Sequence, residues 1–230
     1  MKTKLFFDGA KSALPICLGL IPIGISYGLL AMQAGLTQLE TVLMSVLVMA
    51  GSSQLMVVGM IGKATVLAMI AAVFFVNLRH LVMSSAVMSR MEPTPLGMKL
   101  LSAFSLCDES FALFALFSLS SNRSAAYLLG ANTALYGTWV LASVLGVVIG
   151  QFLPEVVAKS FGVAFYASFI ALLMPNVQKS RRVALLVLLA AGMNTVLQLF
   201  LPVSWAVILS MVISAAIGTF FVEAANDEQA

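Results

Sequence analysis

Apolar residues run through this chain in stretches of about twenty, divided by short polar joins. The runs fall at roughly 12–34, 38–61, 64–87, 98–120, 124–150, 154–174, 183–203 and 204–222. About 20 apolar residues in a helix match a hydrocarbon core of about 30 Å. Strands of a membrane barrel would be about ten residues long with alternating polarity. The pattern predicts an all-α polytopic membrane protein of about 7–8 transmembrane helices. The clearest joins are "SRMEPTPLG" and "PNVQKSRR". The join "LPVSW" is tight, which leaves seven spans plus one re-entrant piece as the alternative count. No stretch is rich enough in Gly, Ser or charge to divide the chain, so residues 1–230 read as a single transmembrane domain.

Composition narrows the class. Of the residues, 61% are hydrophobic and 9% charged, whereas a soluble domain has about 25% charged. The net charge of +3 is not read as a nucleic-acid signal, because the bases lie mainly in the short joins. There they orient the chain. A cytoplasmic N-terminus places Lys2, Lys4, Lys11, Lys63, Arg123, Lys179, Arg181 and Arg182 inside and Arg90 and Lys99 outside, with Lys159 just within the sixth span. The first apolar run is longer than a signal peptide's core and lacks a clear small-x-small cleavage site, so it reads as a retained span. Cys17 and Cys107 both sit inside apolar runs and read as small buried hydrophobes.

Laying "VMAGSSQLM" over "FYASFIALL" and "FFVNLRHL" over "AAGMNTVLQL" matches Ala50 with Ala167, Leu55 with Leu172 and Asn77 with Asn194. This is a weak internal repeat of parallel sense.

Polar groups interrupt the greasy runs near their midpoints. The third run carries Asn77, Arg79 and His80, and the fourth carries Asp108 and Glu109. The second carries Gly51, Ser52, Ser53 and Gln54. An ionised side chain at a helix centre costs about 2.5–3.5 kcal/mol on insertion scales. Four such groups cost on the order of ten before pairing. Facing one another recovers much of that, and helical spacing permits it. Asn77, His80 and Ser84 share one face; Ser102, Ser105, Glu109 and Ala112 form another stripe, with Asp108 to one side. Asn132, Tyr136 and Trp139 align on the fifth span, and Asn194 and Gln198 on the seventh. The charged group reads as a site for a charged or zwitterionic solute or a proton relay. His80, whose imidazole titrates near physiological pH, is a candidate proton carrier. Asn132, Tyr136, Asn194 and Gln198 read as interhelical glue before they read as ligands.

The first span adds Pro15, Gly19, Pro22, Gly24 and Gly28. Such punctuation predicts a broken or kinked helix, whose exposed N–H groups can take a carboxylate. "AGSSQ" is a second candidate break. No enzyme constellation competes. His80 has no metal-ligand partners, no phosphate loop is present, and adjacent Asp108 and Glu109 point about 100° apart on a helix. Neither cofactor nor metal is implied.

The Pro/Gly-rich first span, "MSVLVMAGSSQL", "VNLRHLVM" and "CDESFAL", in that order, resemble the AzlC family over about residues 8–200. Its members are large subunits of two-component branched-chain amino acid exporters. The sequence departs from the expected pattern at Cys107, where a small polar residue is usual. The resemblance implies export of valine-class amino acids, methionine among the analogues, across the bacterial inner membrane. It also implies a small AzlD/YgaH-like membrane subunit as partner. In that setting Asp108, with Glu109, takes the ammonium or a coupling proton. Arg79 or the first span takes the carboxylate, and Gly51 to Gln54 with Asn77 complete the pocket. The competing reading is a non-transporting scaffold or gate subunit whose pathway lies in the partner. A channel is disfavoured by the lack of a carbonyl-rich filter or charge ring.

Overall fold

The computed structural model describes residues 2–117, 124–150 and 180–227, together with 152, 170, 174, 177 and 178. Every regular element among them is helical: α1 (Lys2–Gln33), α2 (Gln38–Leu47), α3 (Gly51–Met60), α4 (Val66–Arg90), α5 (Leu96–Phe104), α6 (Asp108–Phe117), α7 (Ala125–Gly150), α8 (Arg181–Leu197) and α9 (Val203–Asp227). Three described stretches are long and apolar enough to cross a membrane: Thr3–Gln33, Val66–Arg90 and Ala125–Gly150. The predicted sixth span, 154–174, and with it Ala167 and Leu172 of the repeat, lies outside the described residues apart from 170 and 174.

Two predicted spans are not continuous helices. The run at 38–61 is α2 and α3, interrupted over Val48, Met49 and Ala50, where Val48 takes an extended conformation (φ −132°, ψ 107°). The run at 98–120 is α5 and α6, interrupted over Ser105, Leu106 and Cys107. The stripe drawn from Ser102 to Glu109 therefore crosses an interruption and does not belong to one helix. "AGSSQ" does open a new helix, at Gly51. Each half, nine or ten residues long, rises about 14–15 Å, roughly half the thickness of a hydrocarbon core.

The break expected in the first span is absent. α1 runs without interruption through both Pro15 and Pro22. Its glycines serve packing instead. A Cβ on Gly28 would overlap the Ser143 carbonyl, and one on Gly146 the Ile25 carbonyl. Gly24 lies against Ala142, Gly9 against the Tyr127 backbone, and Gly130 against the Phe6 backbone. Small residues thus bring the α1 and α7 backbones together, the usual packing mode of helices in lipid. Gly19 faces open space and has no such role.

The α1–α2 turn is fixed at both ends. Leu36 N donates to Ala31 O and Gly35 N to Met32 O, with Gly35 at φ +94°, a Schellman closure that needs the left-handed region. Thr37 then caps α2: its hydroxyl accepts from Glu40 N, and the Glu40 carboxylate accepts from Thr37 N at 2.8 Å.

Contacts divide the chain into two compact units, Met1–Val58 with Asn77–Phe165, and Gly59–Val76 with Tyr166–Ala230. In the first, Ala13, Cys17, Leu20, Tyr27 and Ala31 of α1 pack with Ala131, Leu135 and Trp139 of α7, and with Met49, Leu55 and Cys107. Both cysteines are buried free thiols, as the sequence predicts. In the second, α8 packs with α9, although no residue of α8 is buried.

Candidate functional site

The interruption at 48–50 makes Gly51, Ser52 and Ser53 the first turn of α3, with Gln54 N donating to Ala50 O. The interruption at 105–107 makes Asp108, Glu109 and Ser110 the first turn of α6, with Phe111 N donating to Cys107 O. The first N–H groups of a helix have no partner within it, and its N-terminus carries partial positive charge. Two acidic residues in the first turn of α6 suit that field. They are not stranded mid-helix.

Arg79, on α4, joins these two helix starts. Its Nη1 lies 2.9 Å from Asp108 Oδ2, and its Nη2 donates to Ser52 Oγ at 3.1 Å. The planar guanidinium fork makes that double reach possible. Both side chains are more than a third exposed, 37% for Arg79 and 45% for Asp108. The third and fourth runs face one another through Arg79 and Asp108, as the cost of inserted charge predicts, although neither residue lies on the stripes given by the spacing.

The other predicted residues divide by what holds them. Asn77 and His80 are half-buried on α4. Asn77 Oδ1 is buried without a hydrogen-bond partner among the described residues. Glu109 stands beside the Cys107 thiol. Ser53 donates to Ala50 O at 2.9 Å and helps close the first turn of α3. Gln54 is engaged wholly within the protein: its Oε1 accepts from Trp139 Nε1 at 2.9 Å and its Nε2 donates to Ser45 Oγ at 3.2 Å. Gly51 lies beneath the Trp139 ring, where a Cβ would come within 2.8 Å of Cη2.

Asn132 and Tyr136 fasten the ends of the half-helices. The last carbonyls of a helix lack partners in the helix itself. Asn132 Nδ2 donates to Ser102 O at 3.2 Å and Ser105 Oγ at 2.9 Å at the end of α5. The Tyr136 hydroxyl donates to Val46 O at the end of α2. Pro15 and Pro22 lie within continuous α1, Gly24 and Gly28 against α7, and Gly19 in the open. In the second unit, Asn194 lines an open groove of about 470 Å³ with Leu186, Ala190, Ser210 and Ser214, and Gln198 caps α8.

Sequence reasoning aligned Trp139 with Asn132 and Tyr136 but gave it no partner, and missed Ser45 and Ser143. Each is a polar or amphipathic residue within an apolar run, a signal too common in membrane helices to single them out.

Among the described residues every regular element is helical and three apolar helices are long enough to cross a membrane, which is the build of a polytopic membrane protein. The profile of the family described as AzlC protein matches residues 15–153. An uncharacterized membrane protein of Archaeoglobus fulgidus is 32% identical over 77% of this chain and 78% of its own. The inner membrane protein YgaZ of Escherichia coli is 28% identical over 86% of this chain and 84% of its own. The branched-chain amino acid transport protein AzlC of Bacillus subtilis is 25% identical over 60% and 55%. No solved structure matches significantly. The chain belongs to the AzlC family of membrane transport proteins.

Proposed function

We propose that this chain is the large subunit of a secondary transporter that exports valine-class branched-chain amino acids, methionine within its range, across the bacterial inner membrane. It acts as one transmembrane domain of seven or eight spans with a cytoplasmic N-terminus. A small AzlD/YgaH-like membrane subunit completes the transporter.

The observation that carries this reading is the Arg79–Asp108 pair at 2.9 Å, set between the starts of α3 and α6. An ion pair receives a zwitterion by exchange. The α-ammonium takes Asp108. The α-carboxylate takes Arg79, with Ser52 Oγ and the first N–H groups of α3 beside it. Site and solute are each neutral overall, so the solute need not leave a bare charge behind in a medium of low dielectric. His80 and Glu109, next in sequence to the pair, are the candidate carriers of a coupling proton in this reading, with the proton gradient or membrane potential driving export. The family match and the names of the Escherichia coli and Bacillus subtilis relatives support the class.

The test is counterflow of labelled valine in proteoliposomes holding the chain with and without the small subunit. Exchange inhibited by leucine and isoleucine, and not by lysine, is expected. Exchange by this chain alone excludes a scaffold role, and no exchange with both subunits present overturns the proposal.

A further inference from the structure

One face of α7 presents Trp139 and Ser143 to the interruption between α2 and α3. Four hydrogen bonds there close into a ring. Trp139 Nε1 donates to Gln54 Oε1 (2.9 Å), Gln54 Nε2 to Ser45 Oγ (3.2 Å), Ser45 Oγ to Ser143 Oγ (2.8 Å), and Ser143 Oγ to Trp139 O (2.8 Å). The ring starts and ends on Trp139. Between its ends it crosses from α3 to α2 past residues 48–50. All four side chains are buried, at 3% exposure or less.

The indole is held in its turn. It stacks on Tyr27 with ring centroids 5.8 Å apart and planes 29° from parallel. Its edge lies over Gly51. α7 therefore fixes the first turn of α3 at two points, Gly51 beneath the ring and Gln54 through its amide. Ser52, the residue that Arg79 holds at 3.1 Å, lies between them in sequence.

A dry, neutral and hydrogen-bonded ring is a poor place for a charged solute and a good brace. We infer that Trp139 and Gln54 are positioning residues for the carboxylate half of the transport site, setting Ser52 and the α3 N-terminus against Arg79. This rests on the reading of Arg79 and Ser52 as the carboxylate cradle. The ammonium half has its own supports. Asp108 begins α6, where Cys107 N donates to Ser110 Oγ at 3.0 Å, and Asn132 holds the preceding end of α5. Loosening the ring should therefore weaken recognition of the carboxylate and spare that of the ammonium.

Trp139→Phe tests this, because it removes both the N–H donor and the outer ring edge that lies over Gly51, the two points of the brace, while keeping an aromatic ring at the position. In proteoliposomes with both subunits, the KM for valine is expected to rise about tenfold, in the range set by one orphaned buried acceptor, with the maximal rate within twofold. Inhibition by valinamide, whose carboxylate is replaced by a neutral amide, is expected to stay unchanged. An unchanged KM, or equal weakening of valine and valinamide, overturns the assignment. Gln54→Met removes that bond from the other side, together with the bond to Ser45, and must reproduce the split; where Trp139→Phe is not recovered from membranes, this variant decides. Wild-type protein that exchanges no amino acid overturns the proposed function together with this assignment. A wild-type exchanger lacking the split in the variants overturns the assignment alone.

Discussion

Arg79 Nη1 stands 2.9 Å from Asp108 Oδ2, while Nη2 of the same guanidinium holds Ser52 Oγ. One side chain of α4 thereby touches the first turn of two helices that each begin inside an apolar run. The charge that is costly to insert is covered by a carboxylate already suited to its helix terminus. Both ends of that contact remain partly exposed.

Asp108→Asn keeps the shape of the side chain and removes its charge. Export of labelled valine from cells, at matched membrane expression, is expected to fall at least tenfold. Arg79→Lys keeps the charge and loses the planar fork, so Ser52 and Asp108 can no longer be held together. It is expected to retain partial export with a raised KM. Normal efflux from Asp108→Asn would remove this residue from the site.

Gly28→Val and Gly146→Val place side chains against the Ser143 and Ile25 carbonyls, which are backbone and have no rotamer to yield. Overpacking of this kind costs about 1–3 kcal/mol or more. Reduced accumulation in membranes, or a clearly lowered melting temperature in detergent, is expected for both. Gly19→Ala, with nothing within 4 Å, is the control and should melt no lower than the parent.

Asn132→Leu leaves the Ser102 carbonyl without its donor at the end of α5. The expected loss is about 1–3 kcal/mol, the cost of orphaning a buried polar group, read by unfolding in mixed micelles with sodium dodecyl sulfate. Tyr136→Phe removes only the bond to Val46 O and should cost about 1 kcal/mol.

Thr37→Ala removes the cap of α2 and should destabilise by about 1 kcal/mol. Glu40→Gln keeps an acceptor for Thr37 N and should be near neutral. Valine export should be unchanged in both, since neither side chain approaches Arg79 or Asp108. Thermal melting and efflux, measured side by side, separate these effects.

Apolar run length was enough to place α4 and α7 within a few residues, and the cost of intramembrane charge was enough to pair Arg79 with Asp108. The interruptions were not legible in the same way. Val48, Met49 and Ala50 keep the apolar average high, so a hydropathy window does not register that the backbone changes direction there. Ser105, Leu106 and Cys107 hide the second interruption almost as well. Its trace lay in Asp108 and Glu109, which are the residues that favour a helix's opening turn and sit poorly in its middle. The first span misled for the opposite reason. Pro15 and Pro22 suggested a break, yet the glycine pair Gly24 and Gly28, four residues apart, is the spacing by which helices touch. Trp139 gave no sign of its role, because a buried indole N–H declares its partner only in three dimensions.

The α1–α7 contact has a consequence for how such a carrier would work. Two helices locked main chain to main chain cannot slide past one another without prising the lock apart. They form a mast, and whatever opens the solute's way to one side or the other must swing from it. The half-length helices α2 and α5 are tied to α7 at their ends and α3 at its start, which leaves the far end of α3 as a part that can swing. Distance labels placed on α1 and α7 should report a constant separation through the cycle while a label at the end of α3 away from Gln54 moves.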